Sequence, residues 1–204
     1  MENTTEHFEH RDDAASKLGM WLFLYTELLL FGGLFLVYSI YRFRNAEAFA
    51  ECGHHLDLMV GTINTIVLLT SSMTVAMSIT ALQHGKKKQA IRLLIATIVC
   101  ALIFMVNKYF EWHHKFEMGT YPGSPTFKSL PHGDGLFYLL YFFMTGLHAI
   151  HVIVGSIILI FVIVYIKQDK IRPDKFALHE NGGLYWHLVD LIWIFLFPLF
   201  YLIH

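Results

Sequence analysis

Several ionisable side chains lie inside apolar stretches of this sequence, away from its charged segments. They are Glu27, His148, His151, His187 and Asp190. An ionisable group within a membrane span costs about 3 kcal/mol or more unless a partner compensates it, so each position requires an explanation. Carboxyl and imidazole groups bind and release protons, and they also form hydrogen bonds. These residue types therefore indicate a proton-linked or interhelical polar site rather than nucleophilic chemistry.

Glu27 is the formal charge within the stretch LGMWLFLYTELLLFGGLFLVYSIY, residues 18–41. This stretch is long enough to cross a bilayer. One interpretation of Glu27 is a neutral carboxyl group that bonds to a neighbouring helix. The other is a proton-linked or subunit-contact role in a larger assembly. The stretch by itself favours the first interpretation, because burial alone accounts for it.

The rise of an α-helix predicts which side chains lie level with Glu27. Counted from Leu18 at about 1.5 Å per residue, Glu27 lies about 13 Å into the membrane. His187 and Asp190 are three residues apart, so they share one face of the last helix, about 6 to 11 Å from the same side. Their predicted depth is therefore compatible with a partnership with Glu27.

His148 and His151 also share a helix face, but at a different predicted depth. Counting back from Lys167 places them about 24 to 28 Å from the N-terminal side of the membrane. This is the opposite half of the bilayer from Glu27. They therefore match Glu27 less well than His187 and Asp190 do, unless their helix is shifted or tilted.

The histidines also raise the question of a haem or metal site. Two imidazoles from facing helices can ligate haem iron, but His148 and His151 are one turn apart on one helix and cannot take opposite axial positions. Further histidines and glutamates lie in the predicted loops: His54, His55, His113, His114, His132, Glu51, Glu111 and Glu117. Adjacent histidine pairs have no recognised ligand spacing. We therefore expect this chain to bind no cofactor and no metal.

The elements that carry these residues are predicted to be membrane helices. The chain has 204 residues, of which 55% are hydrophobic and 16% aromatic, with a mean hydropathy of +0.50. A soluble domain is much less apolar, and lipid admits only helices or closed barrels. The predicted fold class is an all-α bundle of five transmembrane helices at about 18–41, 58–82, 90–112, 135–166 and 183–202. A polar cytoplasmic tail at 1–16 precedes this transmembrane domain, 17–204.

Lysine and arginine residues are distributed unevenly between the two sides of the predicted bundle. Ten lie on the N-terminal side, namely Arg11, Lys17, Lys86, Lys87, Lys88, Arg92, Lys167, Lys170, Arg172 and Lys175. Five lie on the other side, namely Arg42, Arg44, Lys108, Lys115 and Lys128. This bias predicts a cytoplasmic N-terminus and an outside C-terminus. The formal net charge of −1 offers no basic field for nucleic acid.

The remaining segments give more local predictions. Residues 42–57 and 113–134 are predicted loops, and Asp134 is predicted to be the N-cap of the following helix. Lys108 is predicted to extend from the third helix to the lipid headgroups. Small polar residues on the second span are expected to bond to neighbouring helices. They are Thr62, Asn64, Thr65, Ser71, Ser72 and Thr74.

Five segments, in the same order, resemble subunit III of haem-copper cytochrome c oxidases. They are KLGMWLFLYTELLLFGG at 17–33, NTIVLLTSS at 64–72, GDG at 133–135, TGLHAIHVIVGS at 145–156 and YWHLVDLIWIFLFPLFY at 185–201. The resemblance covers nearly the whole chain and matches the shorter, five-helix bacterial form. The first two helices of the seven-helix form, which make one arm of its lipid cleft, have no counterpart here.

The resemblance implies a role for the chain and for particular residues. Glu27 matches the family's carbodiimide-reactive intramembrane glutamate. Other matching motif positions are Glu111, Asp134, His148, His151, Glu180, Trp186, His187 and Asp190. The family's subunit III is non-catalytic, packs on subunit I, supports proton uptake and protects the oxidase from inactivation during turnover. The implied setting is a bacterial inner membrane, with haem and copper in subunits I and II, and phospholipids and cytochrome c or a similar donor as further partners.

Other functions remain open at this point. The parent complex could instead be a quinol oxidase or a nitric oxide reductase. A small b-type membrane cytochrome is a different class, and a Soret band in the purified chain would indicate it. A proton carrier built around Glu27 is a third class, although the sequence shows none of the repeats typical of carriers.

Overall fold

The structure is a bundle of long helices. This computed structural model describes residues 3–171 and 176–202. Its elements are α1 (Asn3–Arg44), α2 (Ala46–His54), α3 (Leu58–Gln83), α4 (Lys87–Glu117), α5 (Pro125–Ser129), α6 (His132–Lys167) and α7 (Ala177–Phe197), followed by a π-helical turn (Pro198–Leu202). Five segments are long and apolar enough to cross a membrane: Ala15–Arg44, Leu58–Gln83, Lys87–Glu117, His132–Lys167 and Ala177–Leu202. The predicted all-α membrane fold is confirmed.

Helix α1 begins at Asn3, so most of the polar N-terminal segment continues the first membrane helix. The division into a cytoplasmic tail at 1–16 and a membrane domain at 17–204 stays a prediction. Residues 1–2, 172–175 and 203–204 lie outside the described residues, and two of the cationic residues used for orientation, Arg172 and Lys175, are among them.

The segment predicted as a polar loop at 42–57 contains helix α2, so that prediction is wrong. Phe49, Cys52 and Gly53 form its buried face. The Phe49 ring packs edge-on against Tyr38 of α1 and Phe137 of α6, with centroids 5.3 and 5.4 Å apart. Packing against these two aromatic rings accounts for a helix too short to be stable by itself.

The second predicted loop, at 113–134, is also partly helical. Helix α4 continues to Glu117, and Ser124 caps α5 by accepting a bond from the Phe127 N–H at 2.9 Å. The prediction that Asp134 is the N-cap of α6 is wrong, because α6 already begins at His132 and its N-cap residue is Pro131. Asp134 lies instead in the first helical turn, where its negative charge interacts favourably with the positive end of the helix dipole.

Four helices of the bundle form a ring, and α7 is one of them. Helices α3 and α4 form an antiparallel hairpin, and α3, α4, α6 and α7 contact one another in a ring. Helix α1 lies outside this ring and packs on α6 and α7. Only 11% of the most apolar stretch of α1 is buried within the protein, against 50% of the corresponding stretch of α7. The face of α1 turned away from the ring is thus available to lipid or to another chain.

The small polar residues of α3 bond to neighbouring helices as predicted. Asn107 Nδ2 donates to Asn64 Oδ1 at 2.8 Å, and Trp193 Nε1 donates to Thr65 Oγ1 at 3.0 Å. Trp186 Nε1 donates to Ser71 Oγ at 2.9 Å. Ser72 and Thr74 make similar contacts with α7 and α4. Thr62 differs, because its hydroxyl donates to the Leu58 carbonyl oxygen of its own helix.

Candidate functional site

Glu27 and His151 form a polar pair between α1 and α6. His151 Nε2 lies 3.0 Å from Glu27 Oε2, and the two side chains are only 12% and 16% exposed. The imidazole ring packs edge-on against Phe31 at a centroid distance of 5.3 Å and stacks with Tyr185 at 6.4 Å. Aromatic rings therefore hold the imidazole on two sides while Glu27 meets its free edge.

The other ring nitrogen of His151 determines which atoms can carry the proton. His151 Nδ1 lies 2.7 Å from the Leu147 carbonyl oxygen, which can only accept a hydrogen bond. Nδ1 must therefore carry a hydrogen. The contact with Glu27 then holds one shared proton, either as a carboxyl group donating to Nε2 or as an imidazolium donating to a carboxylate. This geometry permits proton transfer within the pair.

His187 and Asp190, which the sequence predicts to be compatible with Glu27 in depth, do not contact it, and the partner is His151. The ion pair between Lys17 and Glu180, 3.0 Å apart, shows which levels of α1 and α7 lie side by side. Glu27 lies ten residues beyond Lys17, about 15 Å along its helix, whereas His151 lies about 24 Å from the end of α6. The end of α6 therefore extends about 9 Å beyond the level of Lys17. The depth predicted for His151 was too large because it was counted from Lys167, as if that end of α6 lay at the membrane surface.

His187 and Asp190 lie on the side of α7 that faces α3. His187 Nδ1 is 2.6 Å from Ser72 Oγ. Asp190 is 3% exposed, and neither of its carboxyl oxygens has a hydrogen-bond partner among the described residues. Asp190 follows His187 by three residues, so the two side chains share one face of α7. These three side chains form a second polar cluster, separate from Glu27 and His151.

His148 is enclosed in the ring of helices. It is fully buried, and its imidazole packs against Phe104 of α4 and Trp193 of α7 at centroid distances of 5.5 and 5.2 Å. Within the described part of the chain, neither ring nitrogen has a hydrogen-bond partner. The structure therefore separates His148 from His151, although both lie on α6 one turn apart.

Lys108 and Glu111 form a buried ion pair at the end of the bundle where α4 stops. Lys108 Nζ lies 3.1 Å from Glu111 Oε2, and the side chains are 3% and 6% exposed. The Tyr141 and Tyr201 hydroxyls both donate to Glu111 Oε1. The prediction that Lys108 reaches the headgroups is wrong, because its ammonium group also lies 5.1 to 5.5 Å from the ring centroids of Tyr141, Trp193 and Tyr201.

Sequence reasoning missed this cluster although one signal was present. Lys108 and Glu111 are three residues apart, which places them on one face of a helix. The Tyr201 contribution could not be anticipated, because it depends on the π-helical turn that begins at Pro198. Proline cannot donate the normal backbone bond, so the α-helical hydrogen-bond pattern is interrupted at Pro198.

The remaining motif positions have structural contacts. Glu180 pairs with Lys17, and Trp186 bonds to Ser71. Asp134 lies next to the Cys52 thiol, and burial together with the charge and hydrogen bond of Asp134 raises the pKa of this thiol to about 12. In the described ranges, no group of three or more His, Cys, Asp and Glu side chains is placed to hold a metal ion.

Comparison with known proteins decides the family. The family model of cytochrome c oxidase subunit III matches residues 3–204. This chain belongs to that family. Its members are subunits of haem-copper oxidase complexes, so the chain is a subunit of an oxidoreductase complex of this kind. The resemblance found in the sequence motifs is thereby confirmed.

Relatives of this subunit III chain carry several names. Cytochrome c oxidase subunit 3 of Corynebacterium diphtheriae is 31% identical over 188 residues, covering 91% of this chain and 87% of that protein. Haem-copper oxidase subunit I+III of Aeropyrum pernix is 30% identical, covering 97% of this chain and 24% of that protein. Cytochrome bo(3) ubiquinol oxidase subunit 3 of Pseudomonas putida is 29% identical, covering 95% and 88%.

Proposed function

We propose that this chain is the non-catalytic subunit III of a proton-pumping terminal cytochrome c oxidase, which reduces O2 to water. The observation that carries the proposal is the subunit III family match over residues 3–204. In this proposal the chain lies in a bacterial inner membrane with its N-terminus in the cytoplasm. Haem and copper belong to subunits I and II, and cytochrome c or a similar protein donates electrons to the complex.

Contact with subunit I is supported by two observations. The Aeropyrum pernix relative is named as a single protein comprising subunits I and III, which requires the two parts to lie in one molecule. In the present chain, α1 is the most exposed membrane helix. A largely unburied apolar helix at the edge of a bundle suits contact with lipid or a neighbouring subunit.

The Glu27 and His151 pair supports the proton-linked part of the proposal. The two groups lie 3.0 Å apart on α1 and α6, within hydrogen-bond distance for proton transfer between them. In the proposed role, this pair supports proton uptake by subunit I and protects subunit I during turnover. His148 contributes to the packing that holds α6 against α4 and α7, while phospholipids surround the exposed faces.

The test is purification of the complex through an affinity tag on this chain in mild detergent. Reduced-minus-oxidised spectra and identification of the co-purifying chains give the readout. The expected result is a haem signal that co-purifies with subunits I and II and is absent from this chain once it has been separated from them. A chain that is purified alone with its own haem would overturn the proposal in favour of a small cytochrome. Proton transport by the isolated chain in liposomes would instead indicate a carrier.

A quinol oxidase is the second candidate for the parent complex. The Pseudomonas putida relative, named as a ubiquinol oxidase subunit, is nearly as similar as the cytochrome c oxidase relative. The purified complex distinguishes them by its electron donor, because only one of the two activities will use reduced cytochrome c. A dinuclear copper motif in the co-purifying subunit II would agree with cytochrome c oxidation.

A further inference from the structure

A cavity of about 400 Å³ lies beside the turn that joins α3 to α4, at the N-terminal end of the bundle. Its volume falls within the range of about 300–1,000 Å³ that is typical of small-molecule sites. Four polar residues line it: Thr80, His84, Lys86 and Gln89. Both adjoining helices are long and apolar enough to cross a membrane, so the turn between them, and the cavity with it, lies at a membrane boundary.

The polar groups of this cavity favour an anionic ligand. The Lys86 ammonium group only donates hydrogen bonds, and the Gln89 amide group adds two further donors. His84 Nδ1 lies 2.8 Å from the Thr80 carbonyl oxygen, so it carries a hydrogen and leaves Nε2 for a ligand. Among the described residues, none that lines the cavity is acidic. A phosphate group matches this set, because it is negatively charged and its oxygens accept hydrogen bonds from cations.

The charge around the cavity is also positive. Lys87 pairs with Asp169, which follows α6. Lys86, Lys88 and Arg92 are exposed, and in the described ranges none of them has a carboxylate within salt-bridge distance. Basic pockets between membrane helices bind anionic lipid headgroups, and each lysine or arginine near the membrane surface strengthens that attraction. The turn therefore offers three cations to an anionic group at the membrane surface.

An exposed apolar stripe runs from the cavity along α3 into the membrane. It consists of Met77, Met73 and Ile66, which are 42%, 64% and 59% exposed. Their spacing places them on one helix face with Thr80 and His84. Met77 and Ile66 are about 16 Å apart along the helix axis, which is close to half the thickness of the hydrocarbon core. An acyl chain of one leaflet therefore fits along this apolar stripe while its headgroup lies at the cavity.

We propose that the cavity beside the α3–α4 turn binds the phosphate headgroup of an anionic phospholipid. Lys86 and Gln89 donate to the phosphate oxygens, Lys88 and Arg92 add positive charge, and one acyl chain lies along the apolar stripe. The stripe favours a lipid over a soluble anion or an acidic protein segment, because neither of these covers apolar surface inside the membrane. The leaflet rests on the proposed function: with a cytoplasmic N-terminus, the lipid belongs to the cytoplasmic leaflet, which is rich in anionic lipids.

The test is photo-cross-linking in the purified, delipidated oxidase complex. The probes are phosphatidylglycerol and phosphatidylcholine with the same photoactivatable group in one acyl chain. Mass spectrometry maps the labelled peptides, and a titration gives the lipid concentration for half-maximal labelling. We expect phosphatidylglycerol to label α3 beside the apolar stripe at a concentration at least about tenfold lower than phosphatidylcholine, since several cations act on its headgroup. Excess inorganic phosphate should not displace it, because phosphate has no acyl chain.

The double variant Lys86→Gln with Lys88→Gln tests the cations. The concentration of phosphatidylglycerol for half-maximal labelling of α3 should rise by at least about tenfold, while labelling by phosphatidylcholine stays unchanged. Arg44→Gln with Lys128→Gln is the matched control. It removes the same charge from exposed residues at the opposite end of the bundle, in the last turns of α1 and α5. Labelling of α3 in this control should remain native.

Thr80→Trp tests the cavity itself. The indole fills the space beside the turn and leaves every cation in place, so labelling of α3 by phosphatidylglycerol should be lost. Native labelling in Thr80→Trp, equal labelling by the two lipids, an equal loss in the matched control or displacement by inorganic phosphate would each overturn the proposal.

Labelling of another subunit in place of α3 would also overturn it, because a protein partner would then cover this surface. Failure of the proposed function is a separate outcome, because haem content and co-purifying subunits are measured on the same sample before lipid is added.

Discussion

The Nε2 atom of His151 lies 3.0 Å from the Oε2 atom of Glu27, although the two residues are 124 positions apart in the sequence. Because Nδ1 of the same ring already bonds to the Leu147 carbonyl oxygen, the contact with Glu27 contains a single shared proton. Substitution of either residue therefore removes the hydrogen-bond partner of the other.

Replacing Glu27 by alanine is expected to leave the complex assembled. The change removes one interhelical contact, which contributes about 1–3 kcal/mol, while the apolar packing of α1 on α6 and α7 remains. We expect a near-native initial rate of O2 reduction and a shorter active lifetime during turnover. The measurement is the oxygen consumption trace at saturating donor, analysed for initial rate and inactivation.

Glu27→Gln is the matched control for that experiment. The amide retains the shape and a hydrogen bond to His151 but cannot share a proton with it. A lifetime shortened to the same extent in Glu27→Gln and Glu27→Ala assigns the effect to the proton. Loss of assembly in Glu27→Ala would show instead that this contact is essential for the structure.

The buried pair of Lys108 and Glu111 is expected to stabilise the chain only when both members are present. Lys108→Met leaves the Glu111 carboxylate buried without its cation, which costs about 3–5 kcal/mol. The double variant Lys108→Met with Glu111→Leu should lose much less, because no charge is left unpaired. Thermal unfolding of the purified chain, followed by circular dichroism, gives the three stabilities. A double variant that is as unstable as Lys108→Met, or less stable, would contradict this account.

Cys52 is expected to be unreactive in the folded protein. Burial raises the pKa of its thiol to about 12, with a further contribution from the charge of Asp134. The thiolate is the reactive species, so alkylation at pH 8 should be slow before denaturation and rapid after it. Mass spectrometry in a Cys100→Ala background measures this. Rapid labelling of the folded chain would show that Cys52 is accessible and ionised.

Removal of the Asp134 charge should increase the reactivity of Cys52. Asp134→Asn eliminates a nearby negative charge, so the pKa of the thiol falls and the thiolate fraction at a given pH rises. The raised pKa also affects stability in alkali. The thiol of the unfolded chain ionises from about pH 9, whereas the folded thiol stays neutral until about pH 12. The free energy of unfolding therefore falls as the pH rises from about 9 toward about 12, because ionisation favours the unfolded chain over this range. The alkylation rate of Asp134→Asn measured against pH, beside the Cys100→Ala parent, tests the first of these effects.

Gly155 is expected to tolerate no side chain. A Cβ atom there would lie 2.9 Å from Cε3 of the buried Trp186 ring. Gly155→Ala should therefore destabilise the chain by about 1–3 kcal/mol, as overpacking usually does. Gly33→Ala is the control, because a Cβ atom at Gly33 meets nothing within 4 Å and alanine favours helix formation. Equal unfolding temperatures for the two variants would contradict the packing explanation.

The fold could be predicted from the sequence because the thickness of the bilayer sets the length of apolar sequence that each membrane helix needs. Sequence patterns also predicted hydrogen bonding between helices at Asn64, Thr65, Ser71 and Ser72, because small polar groups in an apolar helix need partners. Neither inference requires knowledge of how far one helix is displaced along another.

Partner assignment failed where displacement matters. The pairing of Glu27 with His151 depends on how far α6 extends beyond the level of Lys17, and no local sequence signal records that distance. Lys108 was assigned to the headgroups from its position near the predicted end of a span. The actual helix continues to Glu117, so Lys108 lies inside the bundle.

The position of α1 against α6 and α7 has a consequence for the order in which the chain is made. Glu27 enters the membrane with the first helix, but its partner His151 is synthesised 124 residues later. At 5–20 residues per second this interval lasts about 6 to 25 s. The interval is longer for the hydrogen bond from the Tyr38 hydroxyl to the Leu199 carbonyl oxygen, because Leu199 is synthesised 161 residues after Tyr38. The earliest helix therefore completes its contacts last, and a ribosome that stops before α7 leaves it without its permanent neighbours.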